Sequence, residues 1–519
     1  MRRRQFMGRL VSLGVAAAIA HNFEHAQANT LKLATAVDPT ELGIAALRDL
    51  YAKGFSTEAV VAGYLARIGS HDSRYRSVIA VNPDAITIAR SLDVERRAGR
   101  VRGPLHGVPI LLKDNIESID PMPTTAGSLA LSKARHTQDA RLVARLRAAG
   151  AIVLGKTNLS EWANFRSTRS MSGWSSVGGQ TGNAYDPLRN PSGSSSGSAV
   201  AAAASFCAVA IGTETDGSIL SPAALNGIVG FKPTQTRVSG AGVVPLSPRQ
   251  DVAGPMARNV LDAATVAAAM YEDALDIDPL SDLPVNPLRS YRIGVWPAAS
   301  SLRPEVVQRY ALAQDILRKT GAELVELTIP QGLQQYGAAE FTALLYEFKD
   351  AINRYLANLS SEQSAVRSLG ELMEFNRRYA VKAMPHFGQE IFEQAFDCGP
   401  LDDPKYLDAV RLLQTSVDIE GLQRLFTQHQ LQTIIAPGSG PAELVDHVWG
   451  NRRDTGGSAL GSAAAVAGYP SITLPLGLLR DLPLGLTMVA PRDADAALLT
   501  CAAAFEREGQ LRKPPVLIT

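Results

Sequence analysis

Residues 191–218 read PSGSSSGSAVAAAASFCAVAIGTETDGS, and the fold turns on whether this stretch is a linker or a piece of core. Taken alone, Gly193-Ser194-Ser195-Ser196-Gly197 has the composition of a flexible connection. A linker, however, does not run straight into buried elements. Ala199 to Ala204 reads as a closely packed helix of small residues, and Cys207 to Ile211 as a short apolar strand. Glycines and small hydroxyls between such elements mark a tight backbone path rather than a tether. Beyond the strand, Gly212 to Ser218 reads as a turn, with Pro222 starting the next helix.

The same alternation extends outward. Val108-Pro109-Ile110-Leu111-Leu112 is a continuous apolar run of the kind a strand buried on both faces shows, and Lys113 closes it. Residues 56–69 have helical periodicity after a Ser-Thr start. An amphipathic helix over 138–149 stops at Gly150 and leads into a strand at 151–154. Pro304 opens a helix to about Thr320, Gly321 ends it, and 322–329 is again a strand. Alternating helices and short apolar strands predict an α/β layered fold with a largely buried sheet. Residues 335–425, richer in long polar side chains, are expected to lay helices over one end of that sheet. The acidic, proline-containing segment 272–290 reads as a loop, and 29–519 as one domain without internal repeats.

Of the 519 residues 46% are apolar and 19% charged, which provides a sizeable core and argues against global disorder. A formal net charge of +1 offers nothing to a nucleic acid. At the N-terminus, Arg2-Arg3-Arg4-Gln5-Phe6-Met7, an apolar stretch from Val11 to Ala20 and Ala26-Gln27-Ala28 are laid out as an export signal. The arginine pair is of the twin-arginine type, with cleavage expected after Ala28 and delivery to the periplasm. Removing 1–28, with four arginines and one glutamate, takes the formal charge from +1 to −2. The apolar stretch is far short of the roughly 20 residues a spanning helix needs, so no stable membrane anchor is expected. Cys207, Cys398 and Cys501 are too few and too scattered for a disulfide framework or a zinc pattern, and buried free thiols are expected. The eight histidines show no His-Glu-x-x-His spacing, and neither a dinucleotide fingerprint nor a P-loop is present. No metal and no cofactor are therefore expected.

Chemistry concentrates on three residues. A lysine at the end of a buried strand loses hydration, which disfavours its ammonium form and makes Lys113 a candidate base; a head left in water or paired with Asp114 is the ordinary alternative. Ser218 sits on a strand-to-helix turn, where a nucleophile is well presented. Backbone N–H groups from Thr215 through Asp216 and Gly217 to Ser218 are placed to form a nest for a developing oxyanion. Gly-Ser turns are common, and His106, the histidine nearest this chemistry, reads as a hydrogen-bonded structural residue.

Three pieces together resemble the amidase signature family. They are Lys113 in Leu-Leu-Lys-Asp-Asn, Ser194 in Gly-Ser-Ser-x-Gly-Ser, and Ser218 in Gly-Thr-x-x-x-Gly-Ser-Ile. The likeness continues through Gly155 to Trp162, Gly179-Gln180-Thr181, Gly227 to Thr234, Gly254 to Arg258, Ala467 to Pro470 and Leu482 to Leu486. It implies an α/β/α sandwich around a large mixed sheet and a Ser–cis-Ser–Lys triad. In that triad Ser218 is the nucleophile, Ser194 relays its proton across a cis peptide to Gly193, and Lys113 is the base. Asp216 stands where many members have glycine, and Leu220 where many have an arginine suited to a carboxylate. The stretches Ser160 to Arg166, Ser172 to Ser175 and Leu344 to Lys349 are most similar to bacterial peptide amidases. The implied activity is hydrolysis of carboxamides, C-terminal peptide amides first, to acid and ammonia. The other readings are a broad aryl or aliphatic amidase, a non-catalytic binding module and a glutamine-dependent amidotransferase subunit. The partner implied is a small-molecule or peptide amide; oligomeric state is left open.

Overall fold

The apolar runs that end in Lys113 and precede Ser218 become adjacent parallel strands near one end of a mixed sheet of eleven. The computed structural model describes residues 37–518, apart from 276, 277, 280–282, 284–287 and 452–458. The expected signal at 1–28 lies outside the described residues, as does part of the 272–290 loop. In chain order the strands are β1 (Val78–Val81), β2 (Pro109–Lys113), β3 (Ile152–Thr157), the short hairpin β4 (Trp174–Ser175) and β5 (Gly179–Gln180), β6 (Val209–Glu214), β7 (Val229–Lys232) and β8 (Val252–Ala257). They continue with β9 (Arg292–Val295), β10 (Glu323–Glu326), β11 (Thr433–Pro437), β12 (Ser471–Leu479) and β13 (Leu482–Val489). The large sheet runs β1-β3-β2-β6-β8-β7-β12-β13-β11-β9-β10. Strands β2, β3 and β6 are mutually parallel, and the six strands from β6 to β11 in sheet order pair antiparallel.

Every residue of β2, β3, β6, β7 and β8 is buried, as continuous apolar runs require. The sheet is not buried throughout. At its edge β10 spans Glu323–Glu326 rather than 322–329 and is half open to solvent, because only β9 pairs with it. The helix expected over 138–149 begins at Arg141, since Ala140 is still tied by its N–H to Glu117 O (3.1 Å). The helix expected to end at 69 continues through Thr57–Tyr75, with Ser56 capping its start and fully buried Tyr75 anchoring its end.

The small-residue helix is Ser196–Ala203, and all eight residues are buried. Its composition follows from how closely it packs. A Cβ on Gly197 would fall 2.3 Å from Ser77 O and 2.5 Å from Asn158 O. The helices Gly337–Asn358, Leu369–Arg378, Ala380–Ala383, Glu390–Phe396 and Pro404–Leu412 build the expected helical layer. Phe348 and Phe392 of this layer meet Phe165 (ring centroids 5.4 Å apart) and Trp162 (6.0 Å). Trp162 and Phe165 follow the carboxyl end of β3, so the layer covers the end of the sheet where Lys113 and Ser218 lie. Among the described residues no helix is long and apolar enough to cross a membrane.

Candidate active site

Lys113 is the last residue of β2, fully buried, beside the carboxyl end of β6. Outside the carboxyl ends of parallel strands is where open α/β sheets place their ligands. Its Nζ lies 2.7 Å from Ser194 Oγ, 2.8 Å from Thr213 Oγ1 and 3.1 Å from Thr213 O. A neutral amine has two hydrogens and one lone pair, which these three contacts satisfy: donation to both Thr213 oxygens and acceptance from the Ser194 hydroxyl. Burial lowers the lysine to about 7, against the opposing fields of Asp251 and Glu214. Asp114 is not its partner. That carboxylate accepts from the Thr125 hydroxyl and N–H, and its electrostatic partner is Lys156.

The serine run is structural around Ser194 and free only at Ser194. Ser195 Oγ donates to Thr213 O (3.0 Å) and accepts from Thr213 N–H (3.1 Å); Ser198 Oγ donates to Ile211 O (3.1 Å). Ser196 Oγ donates to Ser192 O (2.6 Å). The bonds of Ser195 and Ser198 bind the helix start to β6, that of Ser196 closes the loop before it, and the Ser194 hydroxyl is left to the lysine. The Gly193–Ser194 peptide is cis. Ser160 N–H donates to Ser194 O (3.1 Å), which explains one residue of the 160–166 motif; another part, the ion pair of Glu161 with Arg166, is fully buried behind it.

Ser218 joins this pair through the backbone: its carbonyl accepts from Ser195 N–H (3.2 Å). No hydrogen bond links its Oγ to Ser194 Oγ or to any other side chain among the described residues. Hydrogen bonds between candidate catalytic groups are often long or unformed until substrate is bound. Gly217, at φ +72°, turns the chain where a side chain would be strained. Among the described residues, none of the N–H groups of Thr215, Asp216, Gly217 and Ser218 donates to a protein acceptor, so the nest expected there is available to a ligand oxygen. The next two N–H groups are occupied. Glu214 Oε2 accepts from Ile219 (2.7 Å) and Leu220 (3.0 Å), tying off the turn from its far side. This carboxylate acts as a cap, so the helix starts at Leu220 and not at Pro222. Pro222 instead occupies the first turn, where a missing N–H is tolerated.

Sequence reading did not pick out Glu214 or Thr213 for these tasks, although both stand inside the Gly-Thr-x-x-x-Gly-Ser motif. It also missed Asp251, which accepts from Thr215 Oγ1 (2.5 Å) and from the N–H groups of Leu246 and Ser247. Glu340, reached through Gln250, which bridges it (3.0 Å) to Thr215 O (3.2 Å), carries no local signal at all. His106 stands apart from the site, held by Leu92 O (3.0 Å) and Arg102 N–H (3.2 Å), as expected of a structural histidine. The three cysteines are free; burial pushes Cys207 and Cys501 up to about 12, leaving them unreactive thiols.

The Amidase family model matches residues 59–499. Among solved structures, the native peptide amidase of Stenotrophomonas maltophilia superposes with a TM-score of 0.84 at 42% identity, covering 92% of this chain and 99% of that one. A probable amidase of Arabidopsis thaliana is 36% identical over 90% of this chain and 89% of its own length. A glutamyl-tRNA(Gln) amidotransferase subunit from Salinispora arenicola is 33% identical over 92% of this chain and 100% of its own length.

Proposed function

The chain belongs to the amidase family, and from that membership we propose that it hydrolyses the C-terminal carboxamide of peptides to the acid and ammonia. Cleavage of an amide is the activity its family and its structural neighbours share. The reaction scheme rests on one observation above the others, the desolvated Lys113 amine 2.7 Å from Ser194 Oγ. As Ser218 Oγ attacks the carbonyl, its proton passes to Ser194 and that of Ser194 to Lys113. The oxyanion is received by the N–H groups of the 215–218 turn. Lys113 then returns the proton through Ser194 to the departing nitrogen, and ammonia leaves. Water, deprotonated by the same route, hydrolyses the Ser218 ester.

The peptide-amide substrate is supported by the 42% identity to a peptide amidase over nearly its whole length, and by Leu220, which offers no charge to a glutamine-like carboxylate. The purified chain is expected to release ammonia from N-acylated dipeptide amides without any added protein. Turnover confined to aryl or aliphatic amides would replace the peptide reading. Release from glutamine alone, and only with a partner protein, would select the amidotransferase one.

Residues 1–28 complete the proposal as a twin-arginine signal that takes the enzyme to the periplasm. Replacing Arg3 and Arg4 by lysine in the full chain is expected to leave the amidase activity inside the cytoplasm of a Gram-negative host. Undiminished periplasmic activity would remove this part of the reading.

A further inference from the structure

The turn that carries Ser218 opens onto free space at one point. A Cβ placed on Gly217 would meet nothing within 4 Å, although Ser218, Glu214 and Thr215 beside it are buried. Asp216 borders that opening and is itself partly exposed. Ser462 Oγ donates to its Oδ1 (2.8 Å), while among the described residues its second oxygen has no protein donor. Behind it stands a second acid. Burial, and next the charge of Asp216, push Glu340 up to about 8, and burial raises Asp216 as well, against the Ser462 hydrogen bond and the charge of Lys232. Of the nearby cations, Lys232 favours the ionised form of Asp216 by its charge. Lys232 Nζ donates to Tyr469 O (2.6 Å) and Pro233 O (3.3 Å), and Arg249 pairs with Glu347 (2.7 Å). On the helix that follows the nucleophile, Leu220 is apolar and buried.

We propose that Asp216, backed by Glu340, is the charge-selecting wall of the acyl pocket, accepting cationic or neutral hydrogen-bond donors and rejecting carboxylates. The inference rests on the carboxamide reading above. When the leaving group is ammonia, everything else in the substrate is acyl part, so a group lying at Asp216 belongs to the acyl side. A substrate carboxylate there would face a carboxylate, while the hydrogen bonds of Lys232 and the ion pair of Arg249 are directed at other groups. A protonated amine would find an acceptor whose second oxygen has no protein donor among the described residues. Glu340, pushed up to about 8, is mostly protonated at neutral pH and adds little charge of its own.

The test compares kcat/KM for N-acetyl-lysinamide, N-acetyl-leucinamide and the α-amide of N-acetylglutamate, read as ammonia release. The wild type is expected to turn over the lysine compound at least as well as the leucine one. The glutamate compound should be slower than the leucine one by roughly 10²-fold, since like charges in such a setting discriminate strongly. Asp216→Asn should raise the glutamate-to-leucine ratio at least about tenfold whatever it does to the absolute rates. Glu340→Gln, which replaces a carboxyl already mostly protonated at neutral pH, should leave that ratio within about twofold of wild type. The ratio is the readout because Asp216 also lends its N–H to the oxyanion nest. Equal wild-type rates on the glutamate and leucine compounds, or a ratio unmoved in Asp216→Asn, would overturn the inference while leaving the amidase reading intact. No ammonia from any of the three compounds would overturn that reading and the inference with it.

Discussion

Ser218→Ala is expected to lower kcat/KM on a peptide amide by at least about 10⁴-fold, and to abolish covalent labelling by acyl-type serine inhibitors. The size follows from what the substitution removes. The oxyanion nest is made of backbone N–H groups and persists in the variant, so transition-state binding survives in part. No other hydroxyl replaces the lost one. Ser194 Oγ is held on Lys113, Ser195 and Ser196 Oγ are committed to backbone carbonyls, and Ser221 Oγ donates to Ser439 Oγ (3.0 Å). The side chain is small and the Ser218 carbonyl, which accepts from Ser195 N–H, is untouched, so the fold should be retained with an unchanged circular dichroism spectrum. A folded Ser218→Ala protein with wild-type turnover would mean that another residue attacks.

Lys113→Ala should cost on the order of 10³-fold, within the range by which a positioned base accelerates proton transfer. The wild-type pH profile is the more direct reading of this residue. A base must be neutral, and burial sets the folded lysine at about 7. As pH falls below 7 the amine takes a proton, the neutral fraction drops tenfold per unit, and log kcat/KM should fall with unit slope. Above 7 the profile should level off. The sign can be checked through Asp251, whose negative charge is the first influence holding the lysine up against burial. Asp251→Asn is expected to move the acid limb to lower pH, because the ammonium loses a favourable neighbour. A wild-type profile flat from pH 8 to pH 5 would rule out the lysine as base.

Much of this was legible in the chain itself because it is local. The continuous burial of β2 is written in Val108 to Leu112, and the close-packed helix after Ser194 in a run of alanines and glycines. The likeness carried by three short motifs pointed to Lys113, Ser194 and Ser218 together, and the fold brings the Lys113 amine to Ser194 Oγ. Reading failed where a distant partner decides. The helix start at Leu220 depends on a carboxylate five or six residues back, not on the proline that looked like its first residue. The retreat of β10 to four half-exposed residues depends on which strands lie beside it, and Glu340 reaches the site from a layer with no motif of its own.

The amino-acid order therefore determined the element types, the alternation that makes the sheet, and the hydroxyls and amine available for chemistry, since periodicity and backbone preference act over a few residues. What the tertiary structure decided is how those groups behave. Lys113 meets Ser194 and Thr213, 81 and 100 residues away along the chain, only because β2 and β6 lie side by side. Its amine loses its proton near neutrality only because the folded protein excludes the water that would otherwise hold its charge.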